Sequence, residues 1–113
     1  MKLRISGTTV RFRLLPSEVA DWLTTGRCAG EIRIGPEPAD RWGYRLELID
    51  GTDWTVNPEQ GCLVVGVPRS AAQAWSDSEA AISLDHLTGW GTGIVVERDL
   101  PRRVLRAKDP GTQ

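Results

Sequence analysis

Residues 10–22 read VRFRLLPSEVADW, a short alternating strand that runs through a proline into one or two helical turns and a tryptophan. Residues 62–75 read CLVVGVPRSAAQAW and repeat that order of strand, proline, helix and tryptophan. Pro16 and Pro68 suit the first turn of a helix, because the backbone N–H that proline lacks has no partner there. We therefore expect two similar units, each with a tryptophan that anchors its helix, to build one small domain.

The composition indicates a single soluble domain. The chain has 113 residues, 40% of them hydrophobic and 26% charged, and a formal net charge of −1, which is ordinary for a globular domain of this size. Such a small charge argues against bulk attraction to nucleic acid or to an anionic membrane. The sequence has no apolar run as long as a signal-peptide core or a membrane span. We expect a cytoplasmic protein with one domain over residues 1–100 and a loosely ordered tail over 101–113.

The N-terminal residues predict a β-hairpin with one apolar and one basic face. Residues 2–5 and 10–14 alternate between apolar and charged side chains, and residues 6–9 have the composition of a turn. With the turn at that place, Leu3 lies opposite Phe12. We expect this apolar side to face the core.

The other face of the hairpin carries a cluster of four cations: Lys2, Arg4, Arg11 and Arg13. Like charges directly opposite each other destabilise a sheet by roughly a few tenths of a kcal/mol per pair, so acidic side chains are expected to offset them. Glu97 and Asp99 would do so if the last strand lies beside the hairpin, and Glu31 and Glu47 are further candidates. The cluster is then either a salt-bridge lattice on a solvated sheet face or a site for an anion or phosphate.

The rest of the chain completes the predicted fold class. Further strands are expected at 31–35, 42–49, 52–57, 62–67, 81–87 and 93–100, and helices from Pro16 to Gly26 and from Pro68 onward. Asp50-Gly51 predicts a hairpin turn between the second and third of these strands, and Ile32 and Ile34 are expected to face inward. Short turns join nearly all neighbours. We predict an α+β domain with a mostly antiparallel, curved or barrel-like sheet of about eight strands, possibly arranged as two pseudo-symmetric ββαββ halves.

Catalytic and metal signatures are weak throughout. The single histidine, His86, lies between Ser83, Asp85 and Leu87, but neighbours in a strand alternate faces, so this grouping does not make a catalytic triad. Cys28 and Cys62 have no histidine at metal-ligand spacing and are expected to be free thiols. We expect no metal site, no cofactor and no enzymatic activity. The five tryptophans either fill the core or include one or two that form a binding face.

Several spaced segments resemble those of a small uncharacterised bacterial family of about 110–130 residues. They are the start Met1-Lys2-Leu3-Arg4-Ile5, the stretch Val10 to Leu14 with Ser17-Glu18-Val19, Val67-Pro68 with Ala74-Trp75, and Glu97-Arg98-Asp99-Leu100. Members of that family begin with a Lys-Ile-Arg-Ile strand and end their last strand in Glu-Lys-Asp-Phe. The resemblance covers Met1 to Leu100 and implies no activity, and Pro101-Arg102-Arg103 departs from the more acidic segment found there in the family.

A second segment is similar to the AbrB-like swapped-hairpin transcription factors, in which a strand enters a proline, a short helix and a glycine. Leu15-Pro16-Ser17-Glu18-Val19 through Gly26 follows that order, and Val67 to Ala71 follows it in part. This resemblance implies DNA binding through basic residues of the hairpin face. The near-neutral charge argues against it, because specific DNA binders usually carry a marked positive balance.

Together these patterns predict a non-catalytic binding or protein-interaction module, with a nucleic-acid-binding regulator of AbrB-like type as the alternative. In either case the binding residues are expected to be Lys2, Arg4, Arg11 and Arg13. A protein partner is compatible with the sheet face, and a homodimer is compatible with the exposed edges of the first or last strand.

Overall fold

Eight strands and two helices make up the part of the chain that the structure covers. A computed structural model describes residues 1–78 and 81–99. The strands are β1 (Lys2–Ser6), β2 (Thr9–Leu14), β3 (Arg27–Arg33), β4 (Arg41–Ile49), β5 (Thr55–Glu59), β6 (Cys62–Pro68), β7 (Ser83–Leu87) and β8 (Gly93–Arg98), and the helices are α1 (Pro16–Thr25) and α2 (Arg69–Asp77). Neither of these helices is long and apolar enough to cross a membrane. Leu100 and the expected tail at 101–113 lie outside the described residues.

The strands form two four-stranded sheets. The first sheet has the order β1-β2-β8-β7 and the second sheet has the order β3-β4-β6-β5. In each sheet the two outer pairings are antiparallel and the central pairing, β2 with β8 or β4 with β6, is parallel. The expected α+β class with mostly antiparallel pairing is confirmed. The expectation of a single barrel-like sheet is wrong for the described residues, because the strands form two separate sheets and no closed barrel.

The two sheets have the same connectivity. Each strand of the first sheet can be replaced by the strand four places away along the chain: β1 by β5, β2 by β6, β8 by β4 and β7 by β3. The result, β5-β6-β4-β3, is the order of the second sheet read backwards. Each half of the chain therefore contributes one hairpin to each sheet, and a helix carries the chain across between them.

The core lies between the inner faces of the sheets and the two helices. Its buried members come from both sheets and both helices: Phe12, Leu14, Val19, Trp22, Leu46, Val65, Val67, Ala72, Trp75, Ile94 and Val96. The ring centroids of Phe12 and Tyr44 lie 6.5 Å apart and join the first sheet to the second. Trp22 and Trp75 are 0% and 3% exposed, so each helix is anchored by its tryptophan as expected.

Helix α1 is bounded by local sequence signals. Pro16 occupies its first turn, and the Glu18 carboxylate accepts a hydrogen bond from the Leu15 backbone N–H at 2.8 Å and pairs with the Met1 ammonium. At the other end Gly26 takes a left-handed conformation with φ of 82° and donates its N–H to the Trp22 carbonyl. Only glycine adopts that conformation without steric cost, so it ends the helix.

Helix α2 ends through a side chain from a distant strand. The Arg98 guanidinium on β8 donates to the carbonyls of Trp75, Ser76 and Ala81 at 3.1, 3.2 and 2.7 Å. It also lies 4.6 Å from the centroid of the Trp75 ring. A cation at this place satisfies orphan carbonyls and opposes the negative end of the helix dipole. The start of α2 is one residue later than expected, because Pro68 ends β6 and forms the N-cap.

The predicted position of β3 is wrong. The strand covers Arg27–Arg33 instead of residues 31–35, and Ile32 and Ile34 are 54% and 66% exposed instead of buried. Gly30 explains why the strand was missed. It has no side chain to show the alternation, and a Cβ there would lie 2.6 Å from the Tyr44 ring. The Tyr44 ring thus occupies the space that a side chain at position 30 would need.

The hairpin predicted at Asp50-Gly51 is also wrong. One edge of β4 pairs with β3 and the other pairs in parallel with β6, so no edge is left for β5. β5 pairs with β6 instead. The Asp-Gly signal marks a turn, but the strand that occupies the free edge of β4 comes from later in the chain.

Candidate anion site on the first sheet

The four predicted cations do lie together on one face of the first sheet. The register pairs Lys2 with Arg13 and Arg4 with Arg11, and it pairs Leu3 with Phe12, all as expected. Phe12 is fully buried in the core. Since side chains alternate along a strand, the cations lie on the opposite, outward face.

The last strand neutralises part of this cluster. β8 pairs in parallel with β2. The Glu97 carboxylate forms ion pairs with Arg13, through Nε at 2.6 Å, and with Arg11, through Nη1 at 3.5 Å. Lys2 Nζ lies 3.0 Å from the Asp99 carboxylate. The conditional prediction that Glu97 and Asp99 offset the cations is thus confirmed, whereas Glu31 and Glu47 belong to the second sheet and pair there.

The neutralisation leaves one cation over. Within the described residues, Arg4 takes part in no ion pair, and Arg11 shares its only carboxylate with Arg13 at the longer distance. Arg4 lies opposite Arg11 in the register, so two arginines are neighbours on this face. Of these two, the Glu97 carboxylate contacts Arg11, and it is shared with Arg13. An added anion would therefore gain the most electrostatic stabilisation at this part of the face.

A concavity of about 300 Å³ opens at this place. It is lined by Arg4, Ser6, Thr9, Arg11 and Arg13, and we call it the arginine concavity. Lys2, predicted as a member of the site, does not line it. Three guanidinium groups and two hydroxyl groups are all hydrogen-bond donors, and guanidinium forks match the oxygen geometry of phosphate and carboxylate groups. The arrangement can bind an oxyanion.

Ser6 and Thr9 were missed because they were assigned to the turn. They pair with each other at the end of the hairpin and follow Arg4 and precede Arg11 by two residues, which puts them on the same face. The alternation that located the arginines also locates these hydroxyl groups once the strands are extended by one residue. Gly93 of β8 pairs with Thr9, and a Cβ there would lie 3.2 Å from Thr9 Oγ1, so a larger residue would crowd the concavity.

Other residues considered from the sequence lie elsewhere. His86 faces away from the arginines and stacks on Trp54, with ring centroids 4.9 Å apart and an angle of 5° between the planes. Cys28 and Cys62 are free thiols at inward and outward positions of the second sheet, and burial raises the pKa of the Cys28 thiol. Among the described residues no group of histidine, cysteine and acidic side chains is placed to hold a metal ion.

Two larger concavities carry weaker chemical signals. One of about 640 Å³ includes Arg27 and Arg69 but also Glu47. Another of about 520 Å³ lies between the helices and is lined mainly by apolar and neutral polar side chains, with Arg98 engaged at the end of α2. Among the described residues that line it, the arginine concavity has cations and no acid, so it is the candidate site.

Comparison with known proteins yields one match. The model of DUF7009, described as a family of unknown function, matches residues 1–104. No curated protein and no solved structure matches the chain. The resemblance to an uncharacterised family is thereby confirmed, while the bacterial source and the resemblance to AbrB-like proteins stay predictions. Since the match covers most of its length, the chain belongs to the DUF7009 family.

Proposed function

We propose that the protein is a non-catalytic module that binds a phosphate-bearing ligand in the arginine concavity. The observation that carries the proposal is the excess of donors over acceptors there: Arg4, Arg11 and Arg13 line the concavity, and among the described residues only the Glu97 carboxylate reaches any of them. Cytoplasmic residence belongs to the same proposal, and it is supported by two free thiols in a chain of this size.

Phosphate fits this arrangement better than carboxylate does. A phosphate group presents three or more oxygens in a tetrahedral arrangement, and it can accept hydrogen bonds from guanidinium groups on one side and from hydroxyl groups on the other. Ser6 and Thr9 lie beside each other at one end of the concavity and Arg4 and Arg11 in the next row of the sheet. A planar carboxylate would use one of these rows and leave the other unsatisfied.

Isothermal titration with inorganic phosphate and pyrophosphate at low salt tests the proposal. We expect saturable binding that weakens as salt is added, because the site is open to solvent. Arg4→Gln and Arg11→Gln should each weaken binding about tenfold or more, since each removes a charge-assisted hydrogen bond worth roughly 1.5–3 kcal/mol.

Arg41→Gln is the matched control. Arg41 is also an exposed strand arginine, but it lies on the second sheet and pairs with Glu31 at 2.7 Å. Its loss should leave phosphate binding unchanged. Equal weakening by Arg41→Gln, or no change in the folded Arg4→Gln protein, would show that binding follows the overall charge and not the concavity.

Nucleic acid along the same face is the second candidate. It is favoured by the placement of all four cations on two adjacent strands at the edge of the first sheet. A gel shift that weakens steeply with salt would support it. The double variant Arg4→Glu, Arg11→Glu provides the test: if it stays folded and is retained on heparin as the parent is, this candidate is wrong.

A further inference from the structure

We propose that the phosphate-bearing ligand is a nucleoside monophosphate whose base lies on the apolar side chains of Leu87 and Trp90. This inference rests on the proposed function, because it places the phosphate in the arginine concavity. It adds a second contact region, on β7 and on the loop between β7 and β8.

One register row crosses the whole outward face of the first sheet. Ser6 pairs with Thr9, Thr9 pairs with Gly93, and Gly93 pairs with Leu87. The row therefore runs from hydroxyl groups at the arginine concavity, over a residue without a side chain, to a large apolar side chain. Leu87 is 70% exposed.

The length of this row suits a ligand larger than phosphate. Neighbouring strands lie about 4.8 Å apart, so β7 lies roughly 10 Å from β2. An ion bound among Arg4, Ser6 and Thr9 does not reach Leu87. A phosphate ester with a planar group one sugar away spans that distance, and it would cross Gly93, which adds no side chain of its own but lies beside the Thr9 side chain.

An exposed tryptophan lies in the loop that follows Leu87, at the apolar end of the row. Trp90 is 68% exposed, yet its loop is ordered by hydrogen bonds: the Thr88 N–H donates to the Thr92 carbonyl at 2.9 Å and the Thr92 N–H donates to Thr88 Oγ1 at 2.9 Å. The Gly93 N–H donates to the Thr8 carbonyl at 2.8 Å, which holds this loop beside the β1–β2 turn. An exposed indole on an ordered loop offers a large stacking surface, and the loop backbone does not have to be ordered on binding.

The charges of the same face fit the rest of a nucleotide. Asp85 of β7 lies on this face, in the row of Arg4 and Arg11, and is exposed. The face is thus cationic at its β1–β2 side and has an acceptor at its β7 side. Sugar hydroxyls and base amino groups are donors that such an acceptor can receive.

Titration calorimetry with three probes at low salt tests the inference: AMP, ribose 5-phosphate and inorganic phosphate. We expect AMP to bind about tenfold or more tightly than ribose 5-phosphate, since stacking on an aromatic side chain contributes at that level. Trp90→Ala and Leu87→Ala should lower AMP affinity toward that of ribose 5-phosphate without changing the affinity for ribose 5-phosphate itself. Trp90→Phe should recover part of the difference.

Ile82→Ala is the control for loss of an exposed apolar side chain. Ile82 is 79% exposed and precedes β7, outside the row. Equal affinities for AMP and ribose 5-phosphate would overturn this inference and leave the proposed function standing. Failure of all three probes to bind would overturn both, and so would binding of a single-stranded oligonucleotide by a protein that binds none of the three.

Discussion

The outward faces of the two sheets carry the same numbers of charges in different arrangements. The first sheet has four cations, Lys2, Arg4, Arg11 and Arg13, and three acids, Asp85, Glu97 and Asp99, counting Asp99 just after β8. The second sheet has the cations Arg27, Arg33, Arg41 and Arg45 and the acids Glu31, Glu47 and Glu59. In the first, all cations lie on β1 and β2 and all acids on the β7–β8 side. In the second, cations and acids are interspersed on β3 and β4, and Glu59 lies on β5.

This difference in arrangement is the reason why the first sheet is proposed as the binding face. On the second sheet Arg41 pairs with Glu31, Arg45 pairs with Glu47 at 2.7 Å and lies 3.6 Å from Glu59, and Arg33 donates to backbone carbonyls. Arg27 and Arg33 have no carboxylate partner among the described residues, but they lie at opposite ends of β3, so the unpaired positive charge on this face is spread out. Segregated charges leave a positive surplus at one place, and a sheet tolerates like charges side by side only at some cost in stability. A net charge near zero thus conceals a local cationic site.

The largest expected effect comes from removing the carboxylate that the two arginines share. Glu97→Gln should lower the free energy of unfolding by about 1–3 kcal/mol, because Glu97 is only 13% exposed and its loss leaves Arg11 and Arg13 unneutralised. Urea unfolding measures this. The same variant should bind phosphate more tightly. Glu47→Gln on the second sheet should cost clearly less, since Arg45 also reaches Glu59, and equal losses would contradict the contrast between the faces.

Reversing the charge of one arginine should raise the stability on the first sheet and lower it on the second sheet. Arg4→Glu replaces a repulsive pair with Arg11 by an attractive one and should raise the stability by roughly 0.5 kcal/mol. Arg45→Glu would put three carboxylates together with Glu47 and Glu59 and should lower it by about 0.5–1 kcal/mol. Thermal unfolding of both variants gives the signs. A destabilising Arg4→Glu would mean that Arg4 already has a stabilising partner.

Salt should reduce that contrast. At about 1 M NaCl the Debye length falls to roughly 3 Å, so the stability difference between Arg4→Glu and the parent should shrink toward zero. The cost of Glu97→Gln should persist in part, because that carboxylate is mostly buried and makes hydrogen bonds. Unfolding at 0.05 and 1 M salt separates the two behaviours, which would change in parallel if both were long-range.

The smallest expected effect on stability concerns the first turns of the two helices, α1 and α2. Burial acts to raise the pKa of Glu18, but hydrogen bonds from the Met1 ammonium and the Leu15 amide outweigh it and hold the pKa below its ordinary value. A carboxyl with a lowered folded pKa contributes stability above its unfolded pKa of about 4.3, and that stability is lost as the pH falls through the folded value.

Glu18→Gln should therefore be less stable than the parent near pH 7 and approach it in the acid range below about pH 4. Parallel unfolding curves at pH 7, 4 and 3 measure this. Ser70→Ala at the start of α2 is the control, because α2 has no side-chain cap to lose. A Glu18→Gln deficit that stays constant with pH would exclude the carboxylate as its source.

Local patterns in the sequence predicted the parts of the fold that depend on neighbours along the chain. The register of the first hairpin, the start of α1 at Pro16 and its end at Gly26 all follow from alternation, proline chemistry and a left-handed glycine. The parallel pairings of β2 with β8 and of β4 with β6 could not be predicted from such patterns, because the residues of a strand do not specify which non-adjacent strand it pairs with. That is why the predicted Asp50-Gly51 hairpin failed.

The candidate site shows the same division. Arg4, Arg11 and Arg13 were found from alternation, and Glu97 was identified conditionally from its charge. Ser6 and Thr9 were assigned to the turn. Lys2 pairs with Asp99 and does not line the concavity, and that pairing follows only once β8 is placed beside β2. Which cation keeps a partner is a property of the assembled sheet.

The parallel pairing at the centre of the first sheet also orders events in time. Arg11 and Glu97 are 86 residues apart, so during synthesis the cationic hairpin leaves the ribosome long before its acids exist. Closing so long a loop is slow, and the two acids that pair with this cluster, Glu97 and Asp99, become available only once β8 has been made. The last described strand therefore completes the first sheet, caps α2 through Arg98 and neutralises part of the N-terminal cation cluster, so three separate contacts of the native fold depend on its arrival.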